Sequence, residues 1–380
     1  TTTVVGKIKY LLKTGKCLPQ DILVLSFTNA SASEMSERIS AETGHSIAAS
    51  TFHKLGLNII SQVNGRMPKI TQISLRKFVK EQLLLNMQSD TYLNLLSSYL
   101  LYNRVVAKSE FEFKTQKEYD EYLKLNPPTT VNNETVKSYG EMDIANFLMQ
   151  NGIQYIYEHP YEIDTRTSEY SQYHPDFYLP DYKIYIEYFG INRNGEVPSY
   201  FKATNGMSAT EAYRVSMEWK RSTHREHRTT MIECYAYEKL EGNLLNSLKE
   251  KLEAASVPLV PKSSKELWTQ VAAEGDSLLD GIIELFETLI NLIKSNGYDI
   301  ATVRKLNHAG SNTQTNNILL SLLEPIFKAY CKYLADHKEI DFNDMINLAS
   351  EYVKQGNYIN PYSNVIVDEY QDISKARYRL

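Results

Sequence analysis

The stretch YHPDFYLPDYKIYIEYFG, residues 173–190, alternates apolar and polar side chains with period two and is rich in aromatic and β-branched residues on both sides of Pro180-Asp181. That pattern predicts a β-hairpin. A loop at Asp181 and Tyr182 sets the pairing 180 with 183, 178 with 185, and 176 with 187. Asp176 and Glu187 then lie directly opposite each other. Cβ atoms of such partners are roughly 4.5–5.5 Å apart, and like charges there destabilise the sheet. A divalent cation with oxygen ligands at about 2.0–2.6 Å would turn the repulsion into attraction. The bland alternative is a hairpin end with two solvated acids. Phe177, Leu179, Ile184 and Ile186 occupy the other face and read as core.

Around the hairpin, residues 131–240 read as one α/β unit. A helix at 139–150, a run at 153–162, the hairpin, a helix near 208–224 and a strand at 229–237 follow in order. The preceding segment 106–130, charged, tyrosine-rich and ending in Pro127-Pro128, reads as a linker or an edge of an inserted unit. Residues 4–13 and 74–105 read as helical, DILVLSF (21–27) as a strand feeding a helix, SIAAST (46–51) as a strand before a helix at Phe52, and 241–355 as mostly amphipathic helix.

The chain has 380 residues, enough for two or three domains with real cores. Its 42% hydrophobic and 23% charged content is that of a globular protein, and a net charge of −5 leaves nucleic-acid contact to local basic patches. Cys17, Cys234 and Cys331 match no zinc or disulfide spacing, which fits a reducing compartment and a cytoplasmic protein. No signal peptide is visible, and the most apolar helical stretch, 278–293, is broken by Asp280, Glu284 and Glu287. No membrane partner is expected.

The last strand candidate, NVIVDEYQD, delivers Asp368 and Glu369 to the end of an apolar run, where ligands of parallel sheets bind. An acid there can hold Mg²⁺ bound to nucleotide phosphates, and a second can orient or deprotonate water. A strand with a charged turn is the plainer alternative. Here the chain resembles the UvrD/Rep-like superfamily 1 DNA helicases. DEYQD (368–372) is similar to their Walker B motif, LSFTNASASEM (25–35) to motif Ia, STFHKLG (50–56) to motif Ib, and DFNDM (341–345) to the acidic helix start before Walker B. The resemblance implies that Asp368 coordinates Mg²⁺, that Glu369 is the catalytic base, and that Thr1, Asp368, Glu369 and Gln371 face ATP. It further implies that Thr28, Asn29, Thr51, Phe52 and His53 lie along single-stranded DNA, through phosphate contacts and an aromatic platform for a base.

The phosphate-cradling GxxxxGK followed by Ser or Thr is absent, and Gly6-Lys7 lacks the upstream glycine. Thr1-Thr2-Thr3 before a helix looks like the segment immediately after that lysine, so the expectation is a fragment cut inside the loop and stopping after Walker B. By itself it should not hydrolyse ATP; DNA-stimulated turnover by the purified chain would refute that.

The order helix, strand, acidic hairpin, helix, strand in residues 131–240 resembles the PD-(D/E)xK nuclease core of restriction endonuclease-like enzymes. Pro175-Asp176 matches its PD and Glu187 its second acid. Asp176, Glu187 and the backbone carbonyl of Tyr188 would then hold Mg²⁺ or Mn²⁺. Phe189 stands where the family lysine is expected. Lys183 shares a strand face with Glu187 but lies about 13 Å away. Lys220 shares a helix stripe with Tyr213 and Met217 and is the favoured replacement, because members of that family carry the lysine on a following helix. Glu141 opens the first helix on the stripe of Ile144, Ala145 and Leu148. It reads as a third metal-facing carboxylate, or else answers the helix dipole. Arg214, Lys220, Arg221, Arg225 and Arg228 outnumber Glu218 and Glu226 along 212–228, a stripe suited to phosphate docking through Arg221 or simply solvated. His174 suits a phosphate contact or edge packing. His224, His227 and Cys234 lack a fourth zinc ligand, and no spacing supports Ser/His/Asp chemistry.

The expected fold class is α/β: a partial RecA-like P-loop domain with a largely helical subdomain and an inserted restriction endonuclease-like domain. The expected divisions are 1–105, 106–130, 131–240 and 241–380. The expected function is an ATP-dependent DNA helicase fragment with a metal-dependent nuclease acting in DNA repair or processing, on single-stranded DNA and duplex ends. The rivals are a non-hydrolysing module that grips DNA ends or junctions, and a protein-docking module.

Overall fold

The computed structural model describes residues 2–103, 107–167, 171–203, 206–272, 276–308 and 313–380. The chain divides into two compact units, one formed by Thr1–Gln88 with Asp276–Leu380 and the other by Ser89–Gly275. The strands are β1 (Ile22–Ser26), β2 (Ala49–Thr51), β3 (Lys69–Ile70), β4 (Ile156–Tyr157), β5 (Phe177–Leu179), β6 (Ile184–Phe189), β7 (Thr230–Tyr235), β8 (Glu339–Ile340) and β9 (Asn364–Val367).

In the first unit a parallel sheet runs in the order β2-β1-β9, so a strand from the start of the chain pairs with one near its end. The sequence ILVLS makes β1 central: all five residues are buried, as a parallel strand covered on both faces requires. Thr28 caps the helix Asn29–Thr43 by accepting from the Ser31 N–H, and Gly44, with φ of 72°, ends it in the left-handed conformation. Thr51 caps the helix Phe52–Asn64 in the same way through the Lys54 N–H. Gly56 in that helix lets Phe342–Lys354 approach, because a Cβ there would sit 3.0 Å from the Met345 carbonyl oxygen. The helices Asp276–Ser295 and Thr313–His337 complete this unit.

The second unit is built on a sheet of order β4-β5-β6-β7, antiparallel except for the parallel β6-β7 pair. One face packs Phe177, Leu179, Ile184, Ile186 and Ile232 against Ile144 and Leu148 of the helix Tyr139–Gln150, and against Leu244, Leu248 and Leu252 of the helix Leu244–Ala254. The other face carries a layer of Tyr161, Tyr173, Tyr178 and Tyr185 against Trp219 of the helix Ala209–Glu226. The sheet is therefore sandwiched between helices.

The hairpin register is that of the sequence reading, with Tyr178 opposite Tyr185 and Phe177 opposite Ile186. Its loop is longer than the two residues assumed: Pro180–Lys183 all lie in the turn, and Lys183 has φ of 54°. Both faces of the hairpin are buried, because its tyrosines pack their rings and need not alternate toward water. The segment expected as a linker or an edge of an inserted unit lies within the second unit and carries the helix Gln116–Leu125, with Phe113 buried beside Tyr119 and Tyr122. Residues 241–275, expected with the first unit, supply helices to the second, because Leu244, Leu248 and Leu252 fill its core. Residues 104–105, at the end of the expected 74–105 helices, lie outside the described residues.

Candidate functional site

In the second unit, β5 and β6 bring Asp176 and Glu187 to the same end of the hairpin. The Asp176 carboxylate accepts from the Tyr188 N–H at 2.6 Å, which ties it across to the neighbouring strand. Glu187, 1% exposed, accepts from the Tyr173 hydroxyl at 2.6 Å and from the Lys220 ammonium at 2.5 Å. Lys220 thus arrives from the helix Ala209–Glu226, and its ammonium lies 5.5 Å from the centre of the Phe189 ring. Phe189 is buried and serves as packing beneath the cation. Lys183, in the turn, is exposed.

Glu141, in the first turn of Tyr139–Gln150, is also buried. It accepts from the Lys137 N–H at 3.2 Å, the Ser138 hydroxyl at 2.8 Å and the Tyr157 hydroxyl at 2.5 Å. Burial first, and then the negative charge of Asp176, push its carboxyl up to about 7. The same two causes push Glu187 up to about 8 against the pull of Lys220. Asp176 is raised by burial, with Lys220 opposing. Three carboxyls therefore feel one another in a poorly solvated space, the condition that an added cation relieves. Among the described residues no group of three or more His, Cys, Asp and Glu side chains is placed to hold a metal by itself. The donors on offer are the Asp176 and Glu187 carboxylates and main-chain oxygen, a hard set that suits Mg²⁺ or Mn²⁺ with water completing the shell.

The basic helix face is largely spoken for. Arg221 forms a two-pronged pair with Glu233 at 2.8 and 2.6 Å, and Arg225 pairs with Glu218. Arg221, expected as a phosphate contact, is held by a carboxylate from β7 that the local charge count omitted. His174 is exposed, with Nδ1 2.9 Å from the Glu158 carbonyl oxygen. Cys234 belongs to the apolar core on one face of the sheet, and His224 packs edge-on or tilted among the tyrosines on the other, which separates the zinc candidates. Sequence reasoning missed Tyr157 and Tyr173, because in a chain of 28 tyrosines no spacing marks those that reach a carboxylate, and it weighed His224 only as a zinc candidate.

In the first unit, the carboxyl ends of β1, β2 and β9 form one edge. Asp368 follows β9, is buried, and donates its N–H to the Leu25 carbonyl at 2.9 Å. Glu369 takes a left-handed backbone with φ of 49° and accepts from the Gln371 amide at 2.5 Å. Thr28 and Asn29 are exposed at the head of their helix. Thr51 caps the next, and the His53 ring packs edge-on to Phe342 at 5.3 Å. Burial, aided by Arg377, holds the His53 pKa below its ordinary value. Phe52 differs from its expected role as a base platform. It is 4% exposed, because the first turn of its helix drives the ring into the core beside Phe27. Phe342, 61% exposed, is an aromatic that sequence reading did not single out. Thr1 lies outside the described residues. Among the described residues no helix is long and apolar enough to cross a membrane.

The first unit thus presents an acidic pair after one strand of its parallel sheet and capped helices after two others. The model of the UvrD/REP helicase N-terminal domain family matches residues 1–380, and the chain belongs to that family. It is also similar to DNA helicase IV of Escherichia coli (strain K12), 39% identical over 75 residues. That match covers 19% of this chain and 11% of the relative's length. No solved structure matches.

Proposed function

We propose that the protein is an ATP-dependent DNA helicase whose second unit is a restriction endonuclease-like nuclease, cutting DNA phosphodiesters in repair or processing. The observation that carries the nuclease reading is the convergence of Asp176, Glu187 and Lys220, from two strands and a helix, at one buried end of a sheet. Bound there by Asp176, Glu187 and the Tyr188 carbonyl, Mg²⁺ or Mn²⁺ would supply Lewis-acid charge and an acidified water. Lys220, held at the rim by Glu187, faces the negative charge that grows on the phosphate oxygens. Glu141, buried and sensing the charge of Asp176, would stand as a third carboxylate facing the cation. In the first unit, Asp368 would hold nucleotide-bound Mg²⁺, Glu369 would orient water, and Thr28, Asn29, Thr51 and His53 would follow single-stranded DNA. The buried Phe189 at the family lysine position favours a second reading, a module that grips DNA without cutting it.

Incubation of plasmid and linear DNA with the purified protein in Mg²⁺ or Mn²⁺ separates the two. Nicking or trimming that EDTA stops supports the nuclease, and binding without cleavage supports the grip.

The raised carboxyls also set a pH dependence. An acid whose native pKa exceeds its unfolded value of 4.5 contributes fully to stability below that value and loses the contribution as pH climbs toward its native pKa, here about 8 for Glu187. The metal-free protein should therefore lose thermal stability between about pH 6.5 and 8, a window above the His224 titration. Glu187→Gln should flatten that slope, and saturating Mg²⁺ should do the same for the wild type. Differential scanning fluorimetry across that range checks it; identical slopes for wild type and variant would contradict it.

A further inference from the structure

A chain of hydrogen bonds runs inward from the half-buried Thr229 to Glu187. The Tyr161 hydroxyl lies 2.6 Å from Thr229 Oγ1, and Thr229 Oγ1 lies 2.7 Å from His224 Nδ1. His224 Nε2 lies 3.2 Å from the Tyr173 oxygen, and Tyr173 donates to Glu187 Oε1 at 2.6 Å. His224 is 3% exposed and its ring is enclosed by Tyr161, Tyr173 and Tyr185, with centroids 5.1, 5.6 and 5.2 Å away.

The direction of this chain follows from counting hydrogens. Glu187 receives the Lys220 ammonium on Oε2 and the Tyr173 hydroxyl on Oε1, so the one hydroxyl hydrogen of Tyr173 is committed to it. His224 Nε2 must then donate to the Tyr173 oxygen. A neutral ring has one N–H, so Nδ1 accepts from the Thr229 hydroxyl, and Thr229 accepts from Tyr161. The ring is neutral at ordinary pH, since burial, with His227 and Lys220 adding to it, lowers its pKa to about 4.

We propose that Tyr173, His224 and Thr229 are positioning residues: a one-way hydrogen-bond chain that fixes His224 as the Nε2–H tautomer and aims the Glu187 carboxylate at the cation and Lys220. The catalytic part of this inference rests on the nuclease reading; the tautomer does not. Removing an outer partner of a metal-ligating group costs roughly 10–100-fold in affinity or activity. Tyr173→Phe should accordingly weaken Mn²⁺ binding and lower kcat by about tenfold, with KM for DNA unchanged. Thr229→Val should produce a smaller loss that Thr229→Ser restores. A merely structural role would not produce that rescue.

The deciding measurement is the ¹⁵N spectrum of the His224 ring in the Mg²⁺-loaded protein. We expect a protonated Nε2 and a bare Nδ1, moving toward a mixture of tautomers in Tyr173→Phe and Thr229→Val. A bare Nε2, or a ring indifferent to Tyr173→Phe, overturns the proposal. Mn²⁺ titration gives the second, activity-free readout. If the tautomer and the Mn²⁺ affinities come out as expected while the wild type leaves DNA intact, the nuclease reading fails and the chain stands.

Discussion

Glu187→Gln is expected to abolish metal-dependent DNA cleavage, by about 10³-fold, while DNA binding survives. The amide keeps the shape and can still accept from Tyr173, so the hairpin persists. The change removes one negative charge facing Asp176 and Lys220. Without it, cation affinity falls and the Lys220 ammonium loses the acceptor that holds it 2.5 Å away. Binding should survive because the motif residues of the first unit are untouched. Gel-based cleavage with parallel fluorescence anisotropy reads both. Cleavage at the wild-type rate would remove Glu187 from the site. Lys220→Met makes the companion test, with an expected loss of about 10²-fold.

The second large effect is structural. A Cβ at Gly140 would overlap the ring of Tyr188, which is buried against the start of the helix Tyr139–Gln150. Tyr188 sits in β6 next to Glu187, and its N–H is the one that Asp176 accepts. Gly140→Ala must push that ring, and overpacking of a filled core costs about 1–3 kcal/mol. The strain falls on the strand that carries the site, so the variant should also lower cation affinity. Gly6, which has nothing within 4 Å of an added Cβ, is the control: Gly6→Ala should be neutral or slightly stabilising. Urea titration measures both. Equal midpoints for Gly140→Ala and wild type would mean that Tyr188 yields freely.

The legibility of each feature in the sequence depends on the physics of its signal. The hairpin register could be read because period-two alternation, once anchored at a turn, leaves one pairing; even a loop of four residues preserved it. β1 and β9 could each be read as strands because apolar runs ending in polar motifs mark parallel strands, while their pairing depends on contacts across the chain. Lys220 was accessible through helix periodicity. Other features depend on contacts distant in sequence. Glu233 neutralises Arg221 from a different strand, Phe113 buries part of a charged segment, and Leu244 anchors a helix expected with the first unit into the core of the second. Phe52 looked like a platform because position in a motif says nothing about which way the first helical turn faces. The tyrosine layer hid its own polar members, since the period that predicts burial is the same for a packing ring and for one whose hydroxyl meets a carboxylate.

The central claim is that Asp176 and Glu187, on adjacent strands, share one cation beneath Lys220. Calorimetric titration of Mn²⁺ into the nucleotide-free protein, wild type against Asp176→Asn, tests it most directly. The account predicts a binding event in the wild type, tightening as pH rises because the raised carboxyls must release protons, and lost in the variant. The same isotherm for both proteins would contradict it.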